Sequence, residues 1–340
     1  FRVFSYMQKK GVMCHFLLQE TENAKLLNDG FIGHERKLYY KEMVNRFSHF
    51  SRTLWNNCEE SDPIASQQKS HITHLRKLLT LNQPIVTHSY PNGYNKVYEP
   101  LLSSDLSGMS LQSNPEPAAS LVSEWLKRTD YKWIIGMDEN GPYTTGVMTD
   151  ASDFWHDVHR KVLWQTLLSG AYGMEYYYGY KEPHNDLNCE DFRSRDHWYK
   201  IVSYCCKLMS ELSERHDLTK LMPISQHKAF ALQSDDCTIY FCENDFSLRG
   251  PMPGMKYWWL NTATGERTEA VSDSNDKVPP FTDRDSNSVL VVEKGEVPTP
   301  TPTDPIPVPI EGDDVVICVK KGDRELYRLR VSESKVEFLL

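Results

Sequence analysis

Along the first half of the chain, short apolar runs ending in polar clusters alternate with longer stretches whose apolar residues recur every three or four positions. That alternation is the mark of repeated β/α units. It predicts strands over Val12–Leu18, Thr53–Trp55, Pro84–Thr87, Gly108–Leu111, Trp133–Met137 and Met174–Tyr178. Between them, Arg36–Ser48 spaces Leu38, Met43, Val44 and Phe47 as a helix does, and Pro63–Leu81 places Ile72, Leu75, Leu78 and Leu79 on one face. Ala118–Arg128 and Asp157–Leu168 follow the same rule, and Phe1–Lys10 reads as a helix leading into the first strand. Six units are accounted for, whereas a closed barrel of this kind needs eight. The predicted fold is therefore α/β, a (β/α)8 TIM-type barrel lacking its first two units, with two unpaired parallel edges. The chain opens on Phe1 with no visible signal peptide, and N-terminal truncation is the preferred explanation.

Beyond Tyr180 the pattern changes. A polar stretch, Lys181–Asp196, precedes a helix over His197–Glu214, and then Ala229–Leu232, Thr238–Cys242, Tyr257–Leu260 and Val289–Val292 form short strand-like runs separated by turn residues. That is the pattern of a small β-sandwich. The Pro/Thr-rich stretch Val297–Pro309 is expected to be extended, and the tail Asp314–Leu340 alternates enough for two strands. The expected layout is a partial barrel (strands 3–8) over 1–222, a sandwich over 223–296, a linker over 297–312 and a short β tail over 313–340.

Composition narrows the function. With 39% hydrophobic and 25% charged residues, the 340-residue chain is an ordinary globular protein. A net charge of -9 without a basic patch argues against nucleic acid as a partner, since phosphate recognition draws on clustered Lys and Arg. Runs such as Trp133–Met137 fall far short of the roughly 20 residues that span a bilayer. The eight cysteines are scattered and show no repeated Cys-x-x-Cys, so neither a disulfide scaffold nor structural zinc is expected. Cys237 and Cys242 are a candidate pair across a hairpin. Neither a Gly-rich phosphate loop nor a Gly-x-Ser-x-Gly elbow is present, and no cofactor or metal is expected.

In parallel β/α barrels the active site sits at the C-terminal ends of the strands. Here those positions are rich in acids: Glu20 and Glu22, Glu59 and Glu60, Asp138 and Glu139, and Glu175. Glycoside hydrolysis needs two carboxyl groups flanking one bond, and clusters on separate strands can supply them. Acids after strands also cap helix N-termini, an equally good reading of any one cluster. Aromatic company favours sugar, whose C–H faces pack on rings: Trp55, Tyr90, Tyr94, Tyr143, Trp155, Tyr176, Tyr177, Tyr178 and Tyr180. His88 directly follows a strand and is placed to reach the same cleft, although a buried, satisfied imidazole is nearly as good a reading. His156 and His159 have metal-like spacing, but surface pairing explains them better. Arg193 and Arg195 are candidates to clamp an anionic sugar substituent, or to pair with Asp191 or Asp196.

The runs LLQETEN, RKLYYKEMVNRF, PIVTHSYPN, LLSGAYGMEYYYGY and NDLNCEDFRSRD, over roughly Gly11–Gly265, resemble proteins named for a collagen-binding domain, whose barrel is akin to apiosidases and other clan A glycoside hydrolases. The resemblance implies a retaining site in a secreted protein. It carries the acid/base onto Glu60 and the nucleophile onto Glu139, with Glu59 and Asp138 as rivals. Glu20, Asn56, His88, Tyr90, Gln112, Glu175, Tyr177 and Arg193 are the expected substrate contacts. Where the family has Trp-Asn-Leu-Gly-Glu-Glu-Asn, this chain has Trp55-Asn56-Asn57-Cys58-Glu59-Glu60-Ser61. Cys58 in place of glycine removes the freedom to adopt positive φ at the tightest part of the turn. Trp258-Trp259-Leu260-Asn261-Thr262-Ala263-Thr264-Gly265 resembles a hairpin of the family's terminal β-domain, where packing against the barrel is preferred over collagen binding. The expected function is hydrolysis of a polysaccharide or glycoprotein glycan. The alternative is a non-catalytic extracellular carbohydrate- or collagen-binding protein on a degenerate barrel.

Overall fold

A computed structural model describes residues 1–141, 146–152, 156–181, 184–185, 191–226, 229–242, 248–249, 254–270, 277–278, 288–294, 315–321, 324–331 and 336–339. Tyr143, Trp155 and the Val297–Pro309 stretch lie outside the described residues. The chain divides into two compact units, Phe1–Gly295 and Glu296–Leu340.

In the first unit, β1 (Cys14–Leu17), β2 (Thr53–Asn56), β3 (Ile85–His88), β4 (Gly108–Gln112), β5 (Ile134–Asn140) and β6 (Met174–Tyr176) form one parallel sheet in chain order. Helix α1 (Arg2–Lys9) precedes β1. The crossovers carry α2 (His34–Phe47), α3 (Gln68–Leu78), α4 (Tyr94–Tyr98), α5 (Ala118–Arg128) and α6 (His156–Leu168) in turn, and α7 (Asp196–Arg215) follows β6. The expected strands and long helices are present. Two details differ: Pro63 sits in a 3-10 turn over Asp62–Gln67, so α3 starts later than its apolar pattern suggests, and α4 has too few residues for a period to be read.

Alternation along each strand separates two faces. Phe16, Trp55, Ile85, Met109, Leu111, Ile135 and Met137 join Val44, Ile72, Leu75, Val122 and Trp125 from the helices in one core. The other face carries His15, Asn56, His88, Ser110 and Asp138, aligned by the parallel register. Laid flat, β1 and β5 would stand about 19 Å apart, four strand spacings. Yet donor atoms of His15 on β1, Asp138 on β5 and Glu175 on β6 lie within 4.8 Å of one another. The sheet is therefore curled, with its polar face inward. Among the described residues β1 pairs only with β2 and β6 only with β5, so the arc is open rather than a closed barrel.

Strands β7 (Met222–Gln226), β8 (Ala229–Gln233), β9 (Cys237–Cys242), β10 (Leu248–Arg249), β11 (Met255–Asn261), β12 (Arg267–Glu269), β13 (Lys277–Val278) and β14 (Ser288–Lys294) complete this unit. Six of them make an antiparallel sheet in the order β12-β11-β14-β9-β8-β7, and β10 pairs with β13. The larger sheet is tied to the helices by side chains. Arg160 of α6 donates to Thr262, Arg267 to Glu211 of α7, and Arg215 of α7 forks onto Glu293 at 3.0 and 3.1 Å. At the β11–β12 turn Gly265 has φ +75°, and a Cβ there would lie 2.4 Å from the Tyr204 ring. Trp258 and Trp259 are both buried, Trp258 bonding Glu293 and Trp259 packing with Tyr240, Tyr257 and Leu290. Their rings serve packing.

The cysteine pairing expected at this sheet is corrected. Cys237 is a free thiol, and both cysteines lie on β9 itself, not on facing strands. Five residues of strand hold their Cα atoms about 17 Å apart, where a disulfide needs less than about 7 Å. In the second unit β15 (Val315–Lys321), β16 (Arg324–Val331) and β17 (Val336–Leu339) form an antiparallel meander, three strands where two were expected.

Candidate active site

The turn after β2 is built on buried polar anchors. Asn57 donates to Gln68 and accepts from the Tyr40 hydroxyl at 3.0 Å, while the Cys58 N–H donates to Asn56 Oδ1 at 3.3 Å. Cys58 packs against Ala24 and Ile64, and the Glu59 N–H donates to the Gln19 carbonyl at 3.0 Å, joining this turn to the end of β1. Positive φ falls at Glu60 (42°), not at Cys58. Cysteine in the glycine position is thus accommodated, because no positive φ is required there. At the end of β5, Glu139 also has positive φ (47°), within a break in the β5–β6 register. Non-glycine residues in this region carry backbone strain, which concentrates at functional sites.

These strand ends wall a cleft of about 670 Å³, lined by Glu20, Thr21, Glu22, Glu59, Glu60, Pro91, Gln112, Ser113, Asn114, Glu139, Gly141, Tyr177 and Tyr180. Five carboxyl groups line it, and none of these residues is a Lys or Arg. Glu59 and Glu139 share a hydrogen bond. The Gln112 amide donates to Glu139 and also reaches Glu60. Thr21 donates its hydroxyl to the Glu60 carbonyl at 2.9 Å and accepts from the Tyr90 hydroxyl at 3.3 Å. Burial, then the neighbouring carboxylates, pushes the Glu139 carboxyl far above its ordinary range. Glu59 and Glu60 are raised as well, burial again leading. The hydrogen-bonded Glu59–Glu139 pair consequently retains a proton at neutral pH.

Beneath this rim lies a second polar layer on the inward face. Ser110 donates to the buried Asp138 carboxylate, which also shares a hydrogen bond with Glu175. Burial alone would raise Asp138; the bonds from Glu175 and Ser110 and the nearby His88 and His15 outweigh it and leave the group lowered. Glu175 is raised, through crowding by neighbouring atoms and then the bond to Asp138, and this shared proton keeps the pair from carrying two charges. Its side chain meets solvent at the open edge of the sheet, so water moderates that rise. His15 and His88 are lowered by burial, with the Asp138 carboxylate working against it.

Of the residues expected from sequence, Glu20, Glu59, Glu60, Gln112, Glu139 and Tyr177 line the cleft. Tyr90 braces it through Thr21, and Asn56, His88 and Asp138 lie buried beneath, with Glu175 beside Asp138. Arg193 is elsewhere: it is 71% exposed and forks onto Asp191 at 2.7 and 3.0 Å, the ion-pair reading of that residue. His156 and His159, expected at the surface, are buried and pack against Trp198 of α7. Sequence reasoning missed His15 and Ser110. The available signal was a polar residue interrupting an apolar strand, between Cys14 and Phe16 and between Met109 and Leu111.

No family model and no curated protein matches the chain. Among solved structures, a β-glucuronidase from Ruminococcus gnavus in complex with N1-substituted uronic isofagomine is similar at 12% identity and a TM-score of 0.32, covering 50% of this chain and 32% of that one. The Ruminococcus gnavus β-glucuronidase in complex with uronic isofagomine is similar at 12% identity and a TM-score of 0.33, covering 50% and 36%. The chain spans about a third of the length of either structure. Both neighbours are glycoside hydrolases by name; at such scores the likeness carries no argument about this site, and it does not bear on the collagen-binding resemblance.

Proposed function

We propose that the cleft is a retaining glycoside hydrolase site acting on a polysaccharide or glycoprotein glycan, with Glu60 as acid/base and Glu139 as nucleophile. The observation that carries this reading is the Gln112 amide, which touches both carboxyl groups. Two groups meeting at one amide stand no more than two hydrogen-bond lengths apart, at most about 6 Å. Retaining pairs are separated by about 5–5.5 Å, whereas inverting pairs need room for a water. Glu59 is in direct hydrogen-bond contact with Glu139, too close to flank a sugar bond with it, and is assigned to orienting the nucleophile. In the first step the proton shared by the hydrogen-bonded pair rests on Glu59; a Glu139 carboxylate oxygen bonds to the anomeric carbon as the glycosidic C–O bond breaks, and the leaving oxygen takes the Glu60 proton. A water then gives a proton to Glu60 and its oxygen displaces Glu139. Tyr177 and Tyr180 supply ring faces for sugar C–H groups.

The test is a screen of aryl glycosides and polysaccharides with the wild type, Glu139→Gln and Glu60→Gln. Glu139→Gln should abolish turnover, and Glu60→Gln should slow it by on the order of 10²–10⁴, most for poor leaving groups. Equal turnover by wild type and Glu139→Gln rules the assignment out.

A further inference from the structure

We propose that Glu59, His88 and Glu139 form a site for one divalent transition-metal ion of the zinc class. One donor atom from each of the three lies within 4.8 Å of the other two. Such ions take imidazole nitrogen and carboxylate oxygen at about 2.0–2.2 Å in tetrahedral geometry, often with three protein ligands and a water. Small rotations of the two glutamates close the remaining distance, and the cleft leaves the fourth position open.

A second, independent observation is His88 itself. It is 1% exposed, and its Nε2 has no partner at good hydrogen-bond geometry; the Gln112 side chain approaches the ring, but Gln112 Oε1 is itself left unpaired. An unpaired polar atom buried in this way is unfavourable by about 1–3 kcal/mol, and a metal ion or a water bound to one relieves it. Charge points the same way: among the described residues five glutamates line the cleft without a Lys or Arg, so a dication would balance what protons now neutralise. The Gln112 amide on Glu139 is the outer hydrogen bond that orients a ligating carboxylate. A nitrogen donor with two carboxylates suits zinc better than calcium or magnesium, which favour all-oxygen sites. The group His15, Asp138 and Glu175 has similar spacing and a similarly bonded acid pair, but Glu175 is exposed at the open edge of the sheet and Asp138 already accepts from Ser110.

The proposed site shares two carboxyls with the glycosidase reading without resting on it, because an ion there is detected by binding, not turnover. The full chain, stripped by chelator, is dialysed against Zn²⁺ and its metal content measured; Co²⁺ absorption reports the geometry. The expected result is about one equivalent with a tetrahedral Co²⁺ spectrum. Affinity should fall at least about tenfold in Glu59→Gln and His88→Gln with unchanged circular dichroism, and persist in Glu175→Gln. Glu59→Gln, a change on the cleft wall, decides the matter even if His88→Gln does not fold. No retained ion in the wild type, or retention undiminished by Glu59→Gln, overturns the proposal.

Discussion

At the scale of single residues, the cleft depends on side chains and torsions that no local pattern announces. Glu60 holds φ at +42° between a buried Cys58 and the next strand's backbone, where Ser61 bonds the His88 carbonyl. Glycine takes that torsion without strain, whereas alanine pays about 1–2 kcal/mol. Glu60→Gly should therefore be more stable than Glu60→Ala by about 1 kcal/mol in urea unfolding, and the opposite order would show that the left-handed torsion is absent. Arg36 is buried and donates to Gln19 and to the carbonyls of Ala24 and Leu27, at 2.6 and 2.8 Å for the carbonyls. It ties down the loop that presents Glu20 and Glu22. Arg36→Met leaves those acceptors unpaired and should lower stability by about 2–4 kcal/mol, read as a drop in Tm.

At the scale of elements, the position of the site is a matter of strand contact. A Cβ added at Gly108 on β4 would lie 1.9 Å from the Ile134 carbonyl oxygen on β5, a backbone atom with no room to yield. Gly108→Ala should push the two strands apart and destabilise by about 3 kcal/mol. Because β4 ends in Gln112 and β5 bears Glu139, the same change should weaken the Gln112–Glu139 bond. An unchanged Tm would show that the strands can separate freely. The strands and crossover helices were legible in the sequence because periods of 2 and 3.6 are local properties of the backbone. The contact between β4 and β5 at Gly108 was not, since a glycine in a strand does not say which neighbour approaches it.

At the scale of the whole molecule, acid sensitivity follows from groups that burial holds in one protonation state. His71 and His159 are lowered to about 4 by burial, from an ordinary 6.5. Between those values the unfolded chain binds protons that the folded chain refuses, so stability falls as pH drops from 6.5 toward 4. Each contributes up to about 3 kcal/mol over that interval. Glu293 acts in the same direction. Burial would raise it, but hydrogen bonds from Arg215, His216 and Trp258 outweigh that and leave it lowered. Its contribution is present above the ordinary carboxylate range and is lost as pH falls through its folded value. Since Arg215 belongs to α7 and Glu293 to β14, the antiparallel sheet should loosen from the helices in acid. Glu139 and Glu175, raised to about 9 and about 10, act in the opposite direction over the same interval. The test is therefore a difference: the gap in urea midpoint between the wild type and His71→Gln should shrink from pH 6.5 to pH 4, and a constant gap would contradict this account. For Glu293→Gln the corresponding gap should shrink in the lowest part of that range alone.

The sequence by itself determined the order of strands and helices, the parallel β/α character of the first half, the change to antiparallel strands after α7, and the acids at the strand ends. These follow from spacing within a few residues, which backbone geometry converts directly into faces and termini. Only the tertiary structure decided which acids meet. Curling of the sheet brings the ends of β2 and β5 together, two positive torsions aim Glu60 and Glu139, and one amide from β4 reaches both. It also placed Cys237 and Cys242 along one strand, Arg193 on Asp191, and an unpaired His88 nitrogen under the carboxyl pair. Each of these is set by distances across the sheet or by the sign of a single torsion, and neither leaves a period in the sequence.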